Sequence, residues 1–362
     1  DTSIRFGNEF LTSPMKCLSI MGLRAALGAL HVLLAFHGGH ALSNRLLLAE
    51  HRADKSFQSL REASAETQNV AVCIAGQMQR LEVDSKVKNV FMPLAQKRNL
   101  VHVFLALETG EAHFVNLANT ANATVTKEDI RRKLKPFYKA GSFHEHVNYT
   151  ADASRWAAYL MDKPLDRTTR LGLHMSEQAN LKRCVELIEQ SESRLGFQYD
   201  TVIKLRDNTL VPQPFTLLSA NDIDKRSNRD SVLVKNCAGW GGLSNKVMVL
   251  PRSHLSVALG GVNDALRGIQ KGRFDKFGEL ATDKKLLNVE TLLKKVLQFN
   301  KVPVLEVNAT VLPFVDGRFS NDANGVSWWC PVAEEKDCWP PGPWNAGENV
   351  SGACDVGSGF SL

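Results

Sequence analysis

Val70-Ala71-Val72-Cys73-Ile74-Ala75 is an unbroken apolar run that stops at Gly76. A run this short, without polar alternation, reads as a strand buried on both faces. Val87, Val90, Phe91 and Leu94 then recur at helical spacing despite Pro93, and Leu100 to Leu107 makes a second, nearly all-apolar strand. Strand, helix, strand predicts a right-handed parallel crossover. The pattern returns further on. Leu181, Cys184, Val185 and Ile188 mark a helical face, Leu195 rejoins it, and Gly196 ends the helix. In the segment Tyr199 to Asn208, the β-branched Thr201, Val202 and Ile203 suit a buried strand that breaks into Arg206-Asp207-Asn208. Ligands of open α/β sheets sit at the carboxyl ends of the strands, so these three residues are candidates for ligand contact. The competing reading is a plain turn whose charges pair with neighbours.

With 362 residues, 44% of them hydrophobic, the chain can hold two domains or one large domain with appendages. Its net charge of +6 is dispersed apart from a basic run, Lys127 to Lys139. Ile130, Leu134 and Phe137 give that run a helical pattern, which reads as a solvated face and sets nucleic acid aside as a partner.

Residues 1–42 combine upstream sequence with a targeting segment. After Met15, the positive Lys16 and Arg24 precede an uncharged stretch, Ala25 to Phe36, and then Gly39-His40-Ala41. That order predicts a cleaved signal peptide; a signal anchor from Leu18 to Phe36, with Arg24 snorkelling, is the alternative. Residues 43–68 read as a polar stem. Sequons at Asn122, Asn148, Asn308 and Asn349 fit passage through the secretory pathway. Beyond Cys17, the cysteines Cys73, Cys184, Cys237, Cys330, Cys338 and Cys354 form an even set. The last three fall in a Trp-, Pro- and Gly-rich tail, residues 316–362, which predicts a disulfide-stapled cap with its tryptophans in the core.

Gln77 and Arg80, just past the first strand, supply amide and guanidinium donors for a base, ribose or phosphate, although no GxGxxG spacing is present. Between two further strands lies Ala238-Gly239-Trp240-Gly241-Gly242-Leu243-Ser244-Asn245-Lys246. Its glycines admit close backbone approach, and Trp240 offers an apolar face to a sugar ring or simply packs on the core. Asn288 begins a helix with Leu292, Leu293, Val296 and Leu297 on its apolar face, which puts Glu290 in the first turn. His144 and His146 alternate on a short strand but have no third ligand in sight, so they read as a surface pair.

The order of these pieces resembles glycosyltransferases of the GT-A, nucleotide-diphospho-sugar type. The carrying residues are Val72 to Gln77, Tyr199 to Asn208, Trp240 to Lys246 and Asn288 to Leu293. The resemblance spans residues 69–315 and implies a Rossmann-like α/β fold with a mostly parallel central sheet. It implies that Asp207 occupies an Asp-x-Asp-like motif holding Mn²⁺ or Mg²⁺ against the donor diphosphate. Here the motif offers one carboxylate, because Arg206 and Asn208 flank it. Arg206 and Asn208 would face the diphosphate, Gln77 and Arg80 the nucleotide, and Trp240, Gly241, Gly242 and Asn245 the sugar. Glu290 would be the base, with Glu279 and Asp283 behind it, and Asp207 the second catalytic residue.

The expected function is therefore lumenal transfer of a sugar from a nucleotide-sugar donor to a glycan or glycoprotein acceptor, in the Golgi or endoplasmic reticulum or after secretion. Asp207→Ala is expected to abolish transfer and leave folding intact. Two alternatives stand beside this: a secreted carbohydrate-binding protein without turnover, and a glycoside hydrolase using Asp207 and Glu290.

Overall fold

Three of the apolar runs lie side by side in one sheet. The computed structural model describes residues 67–110, 125–147, 149, 167–217, 230–239, 241–270, 289–321, 327–331 and 338–340. The targeting segment and stem, three of the sequons (Asn122, Asn148 and Asn349), Trp240, Glu279, Asp283 and Cys354 lie outside the described residues.

The main strands are β1 (Asn69–Gln77), β2 (Leu100–Thr109), β3 (Tyr138–Glu145), β4 (Thr201–Arg206), β6 (Val232–Lys235), β7 (Val247–Pro251) and β8 (Val304–Val307). Their order is β3-β2-β1-β4-β7-β6-β8, and β7 alone runs against the others. The expected α/β fold with a mostly parallel sheet is present. The helices are α1 (the run 84–96), α2 (Lys127–Leu134), α3 (Arg167–Leu195), α4 (the run 256–270) and α5 (Val289–Phe299).

Period-2 alternation along β1 sorts these helices into two layers. Ala71, Cys73 and Ala75 face a core shared with Leu181 and Ile188 of α3, Leu259 and Val262 of α4, and Leu292 and Val296 of α5. Val70, Val72 and Ile74 face the opposite core, built with Val90, Phe91 and Leu94 of α1 and Ile130 and Leu134 of α2. Both β1 and β2 are buried on both sides, which is why they read as unbroken apolar runs. The basic run behaves as a helix only to Leu134. Pro136 cannot continue it, and Phe137 is buried at the entry to β3.

The chain leaves β1 for β2 and β3 on one side, then returns through α3 to place β4 on the other side of β1. A crevice opens at such a reversal, outside the carboxyl ends of the two strands.

A second, three-stranded antiparallel sheet joins β5 (Thr209–Leu210) to β9 (Val315–Asn321) and β10 (Ser327–Pro331). Its edge strand β5 follows β4 after two intervening residues, so the beginning of the tail is built onto the end of the pivotal strand. Trp339 is buried against Leu210 and Val315, the one tail tryptophan whose side chain is among those described. Cys237–Cys338 staples the tail to the loop after β6, and buried Lys235 donates to the carbonyls of Phe314 (2.6 Å) and Cys338. A second bridge, Cys73–Cys184, ties β1 to α3.

The Cys237–Cys338 bridge spans 101 positions. Replacing both cysteines with serine should lower unfolding stability by about 2–5 kcal/mol, measured by urea denaturation under non-reducing conditions.

Candidate functional site

The register of β1 and β4 sets Ala75 opposite Arg206, so Gly76 and Asp207 meet one step beyond the ladder. Asp207 N–H donates to the Ala75 carbonyl at 3.1 Å. Its carboxylate turns back over β1: Oδ2 accepts the Gln77 N–H at 2.8 Å and Oδ1 accepts the Asn208 N–H at 2.8 Å. Arg80 Nε lies 3.4 Å from Oδ2, and Asp207 is 2% exposed. Gly76 makes the arrangement possible. Its φ is +144°, and a Cβ there would stand 2.6 Å from Asp207 Oδ2. Below this turn the fully buried Lys86 donates to the Asp207 carbonyl at 3.0 Å and pairs with Glu82 at 3.5 Å. Burial lowers the Lys86 pKa, and the Glu82 and Asp207 charges oppose that shift.

Lys204 and Arg206 share the α3-facing side of β4, and one carboxylate of that helix reaches both. Glu177 Oε1 is 3.6 Å from Lys204 Nζ and 3.7 Å from Arg206 Nε. Arg206 Nη1 lies 3.7 Å from Asp316 Oδ2, which also pairs with Lys246. Burial disfavours the ionised form of every member, and oppositely charged partners work against it to different extents. Arg206 and Lys204 overcome burial and hold the Glu177 carboxyl at about 2. Lys246 and Arg206 do the same for Asp316, also at about 2. For Lys204 burial wins and lowers the ammonium to about 8, with Glu177 opposing. The arginine is pushed the other way: burial opposes its charge, but Glu177 and Asp316 raise its pKa.

The glycine-rich segment joins this network from the side. Gly241 has φ +85°, and Gly242 packs directly on the backbone of Glu290, leaving no room for a Cβ. Leu243 N–H donates to the Glu290 carbonyl at 3.0 Å, and the Asn245 carbonyl accepts Lys204 Nζ. Glu290, 8% exposed, opens α5 as expected. Burial raises its carboxyl pKa, the Glu177 charge adds to the rise, and Lys246 and Arg206 work against it.

A pocket lies over the reversal point, lined by Gln77, Arg80, Glu108, His174, Glu177 and Arg206 among others. Among the described residues the buried Gln77 Oε1 has no hydrogen-bond partner. Glu108, opposite Gln77 in the β1–β2 register, accepts from Asn180 at 3.0 Å and from Ser176, and pairs with His146 Nδ1 at 2.7 Å. His144 Nε2 meets Arg183 at 2.9 Å. The histidines are therefore not a plain surface pair. Each is tied into the wall that α3 forms with β2 and β3, through partners that strand alternation does not reveal.

Of the expected residues, Gln77, Arg80, Arg206 and Asp207 share the pocket. Gly241, Gly242, Asn245 and Glu290 form a neighbouring group, joined to it through Lys204 and Glu177. Trp240 lies outside the described residues. Asn208 is turned towards β9, where it exchanges backbone and side-chain bonds with Gly317, and it does not line the pocket. Glu177, Lys204, Lys246 and Asp316 were not singled out from the sequence. Lys204 and Lys246 had a local signal, as members of the Tyr199 to Asn208 and glycine-rich segments, and Asp316 sits one residue past the expected domain end.

The donor set does not suit the divalent cation expected at Asp207. Mn²⁺ and Mg²⁺ need several hard oxygens with lone pairs to spare. Each Asp207 oxygen already accepts a backbone N–H, and Oδ2 also faces Arg80, while Glu177 and Asp316 face cations. Among the described residues no three His, Cys, Asp or Glu side chains converge as a metal site. Truncating Asp207 to Ala would strand the buried Gln77 and Asn208 N–H groups, at about 1–3 kcal/mol for each, so that variant reports on folding as well as on activity.

Two substitutions test this architecture. Gly76→Ala should lower unfolding stability by about 2–4 kcal/mol through the clash with Asp207. Glu177→Gln should cost about 3 kcal/mol at neutral pH by stranding Lys204 and Arg206. The folded Glu177 value, about 2, lies below its ordinary 4.5. Its stabilisation is thus complete above the ordinary value and fades as pH falls towards the folded one, so wild type and variant should converge in acid unfolding curves.

No protein-family model matches the chain, and no curated protein does. Among solved structures it is similar to mouse xyloside xylosyltransferase 1 in its apo form, with 8% identity and a TM-score of 0.34 over 67% of this chain and 86% of that one. It is also similar to a glycosyltransferase involved in the glycosylation of the major capsid of PBCV-1, with 10% identity and a TM-score of 0.27 over 66% of this chain and 82% of that one. Likeness at this distance says nothing about individual residues.

Proposed function

We propose that the protein is a glycosyltransferase that moves a sugar from a nucleotide-sugar donor to a glycan or glycoprotein acceptor. One observation carries the reading. At the reversal point of the sheet Arg80 lies against Asp207 and Arg206 shares Asp316 with Lys246, and these last two act on the neighbouring Glu290, whose carboxyl pKa is raised by burial. Cations suit a diphosphate, and a carboxyl raised towards neutrality suits a base that takes a proton from an acceptor hydroxyl. The family resemblance of the same segments supports the assignment. In this reading Gln77 and Arg80 face the nucleotide, Arg206 the diphosphate, and Gly241, Gly242 and Asn245 the sugar, with Trp240 assigned there from the resemblance alone.

A lumenal setting is supported by two disulfides, which persist in oxidising compartments, and by the exposed sequon at Asn308. The targeting segment, cleaved or anchoring, belongs to the same proposal. Among the described residues no helix is long and apolar enough to cross a membrane. Sugar binding without turnover is favoured by one observation, the commitment of the Asp207 carboxylate to the fold. The hydrolase reading is weakened by that same commitment, since it needs a second carboxyl able to exchange protons.

Thermal unfolding of the full chain against a panel of sugar nucleotides should show one class that stabilises it, by about 2.7 kcal/mol at 100 times its dissociation constant. A panel without effect, beside saturable binding on a glycan array, would shift the assignment to the binding protein. With the donor identified, Glu290→Gln should slow transfer about 100-fold or more. The base must be ionised, so wild-type turnover should rise with pH through a value above the ordinary 4.5, and that limb should vanish in the variant.

A further inference from the structure

We infer that the anion site of this protein neutralises a diphosphate with Arg206 and Lys246 in place of a divalent cation, with Asp207 serving as the strut that shapes the site. The inference rests on the reading of the pocket as a nucleotide-sugar site and adds how the phosphate charge is met.

Asp207 is unsuited to hold a metal for a geometric reason. Its carboxyl group occupies the space a Gly76 side chain would fill, and turning it towards a cation would release the N–H groups of Gln77 and Asn208. Asn208 adds no carboxylate and is bonded to Gly317. A cation near Glu177 or Asp316 would meet Lys204, Arg206 and Lys246, which already surround those carboxylates. Named together, Arg80, Lys204, Arg206 and Lys246 face Glu177, Asp207, Asp316 and Glu290, so the cations of this network are matched by its carboxyl groups, of which Glu290 has a pKa raised by burial.

Exposure separates the cations by role. The Lys204 side chain is 0% exposed and bonded to the Asn245 carbonyl, so it holds the scaffold. The side chains of Arg206 and Lys246 are each 19% exposed and share Asp316 Oδ2 as a partner. Both contacts of the Arg206 guanidinium with carboxylates are ion pairs at 3.7 Å, too long for hydrogen bonds. A phosphate oxygen could take those donors at hydrogen-bond distance, bidentately, without repacking the core. Glu177 and Asp316 thereby act as place-holders that keep Arg206 at the crevice, with Lys246 beside it through Asp316, until the anion arrives. Gln77 Oε1, without a hydrogen-bond partner among the described residues, shares the pocket with Arg206 and is placed to accept from a ligand hydroxyl or N–H.

The test uses the full chain and two probes, inorganic pyrophosphate and the sugar nucleotide that gives the largest thermal shift, titrated by calorimetry in EDTA and in Mn²⁺. The expected result is pyrophosphate binding in EDTA within about threefold of that in Mn²⁺. Lys246→Met and Arg206→Gln should each weaken it about tenfold in EDTA, with folding checked by the unfolding midpoint. Lys246 is the safer variant because it lies outside the strands of the sheet and its side chain reaches solvent. Binding only in Mn²⁺, no pyrophosphate binding in either buffer, or affinities in EDTA unchanged by both substitutions would each overturn the inference. Metal-free pyrophosphate binding lost in the variants, with no sugar nucleotide bound, would support the cation device and sink the transferase reading.

Discussion

The site depends on one close approach, the Asp207 carboxylate lying where Gly76 has no side chain. Two neighbouring parallel strands end there, and each would otherwise leave backbone N–H groups facing a crevice. One carboxylate satisfies an N–H from each chain segment, at Gln77 and at Asn208, and so fixes the two strand ends relative to each other. The rest follows from that contact. Gln77 and Arg80 take their positions from the β1 side, Asn208 carries the chain towards Gly317, and the next residue back along β9 is Asp316. Lys86 supports the same turn from beneath.

Built onto this strut is a charge network that is poor value as a source of stability. Buried ion pairs recover little more than the cost of desolvating their members, but they hold geometry, because breaking one strands its partners. Here they fix the direction of two cations and keep a carboxyl of raised pKa beside them. A site whose charges are oriented before a ligand arrives needs little reorganisation when it binds, which is the arrangement that charge-transfer chemistry rewards. The two disulfides reinforce the same region, one binding α3 to β1 and the other holding the tail against the loop after β6.

Strands β1, β2 and β4 and helices α1, α3 and α5 were legible in the sequence because their signals are local. Apolar runs of strand length, a 3.6-residue period and a stopping glycine at Gly196 act over a few residues. The positions of Arg206, Asp207 and Glu290 at element ends were legible for the same reason. Less local features were misread or passed over. The helix in the basic run was extended through Phe137 although Pro136 stops it, and His144 and His146 looked like surface residues because their partners come from α3 and β2. Asp316 fell past the expected domain end, since the strand that carries it pairs with β5, more than a hundred residues earlier.

By itself, then, the amino-acid sequence determined an α/β body with polar residues at the carboxyl ends of its strands, and a cysteine- and tryptophan-rich tail closed onto it. Tertiary structure alone decided what those polar residues do. Whether Asp207 faces a ligand or a backbone amide depends on Gly76 and Gln77, the latter 130 positions away. Whether Arg206 is a surface charge or part of a buried network depends on Glu177 and Asp316, which share no local pattern with it. Burial and charge pairing are properties of the packed neighbourhood, and that neighbourhood exists only once the chain has folded.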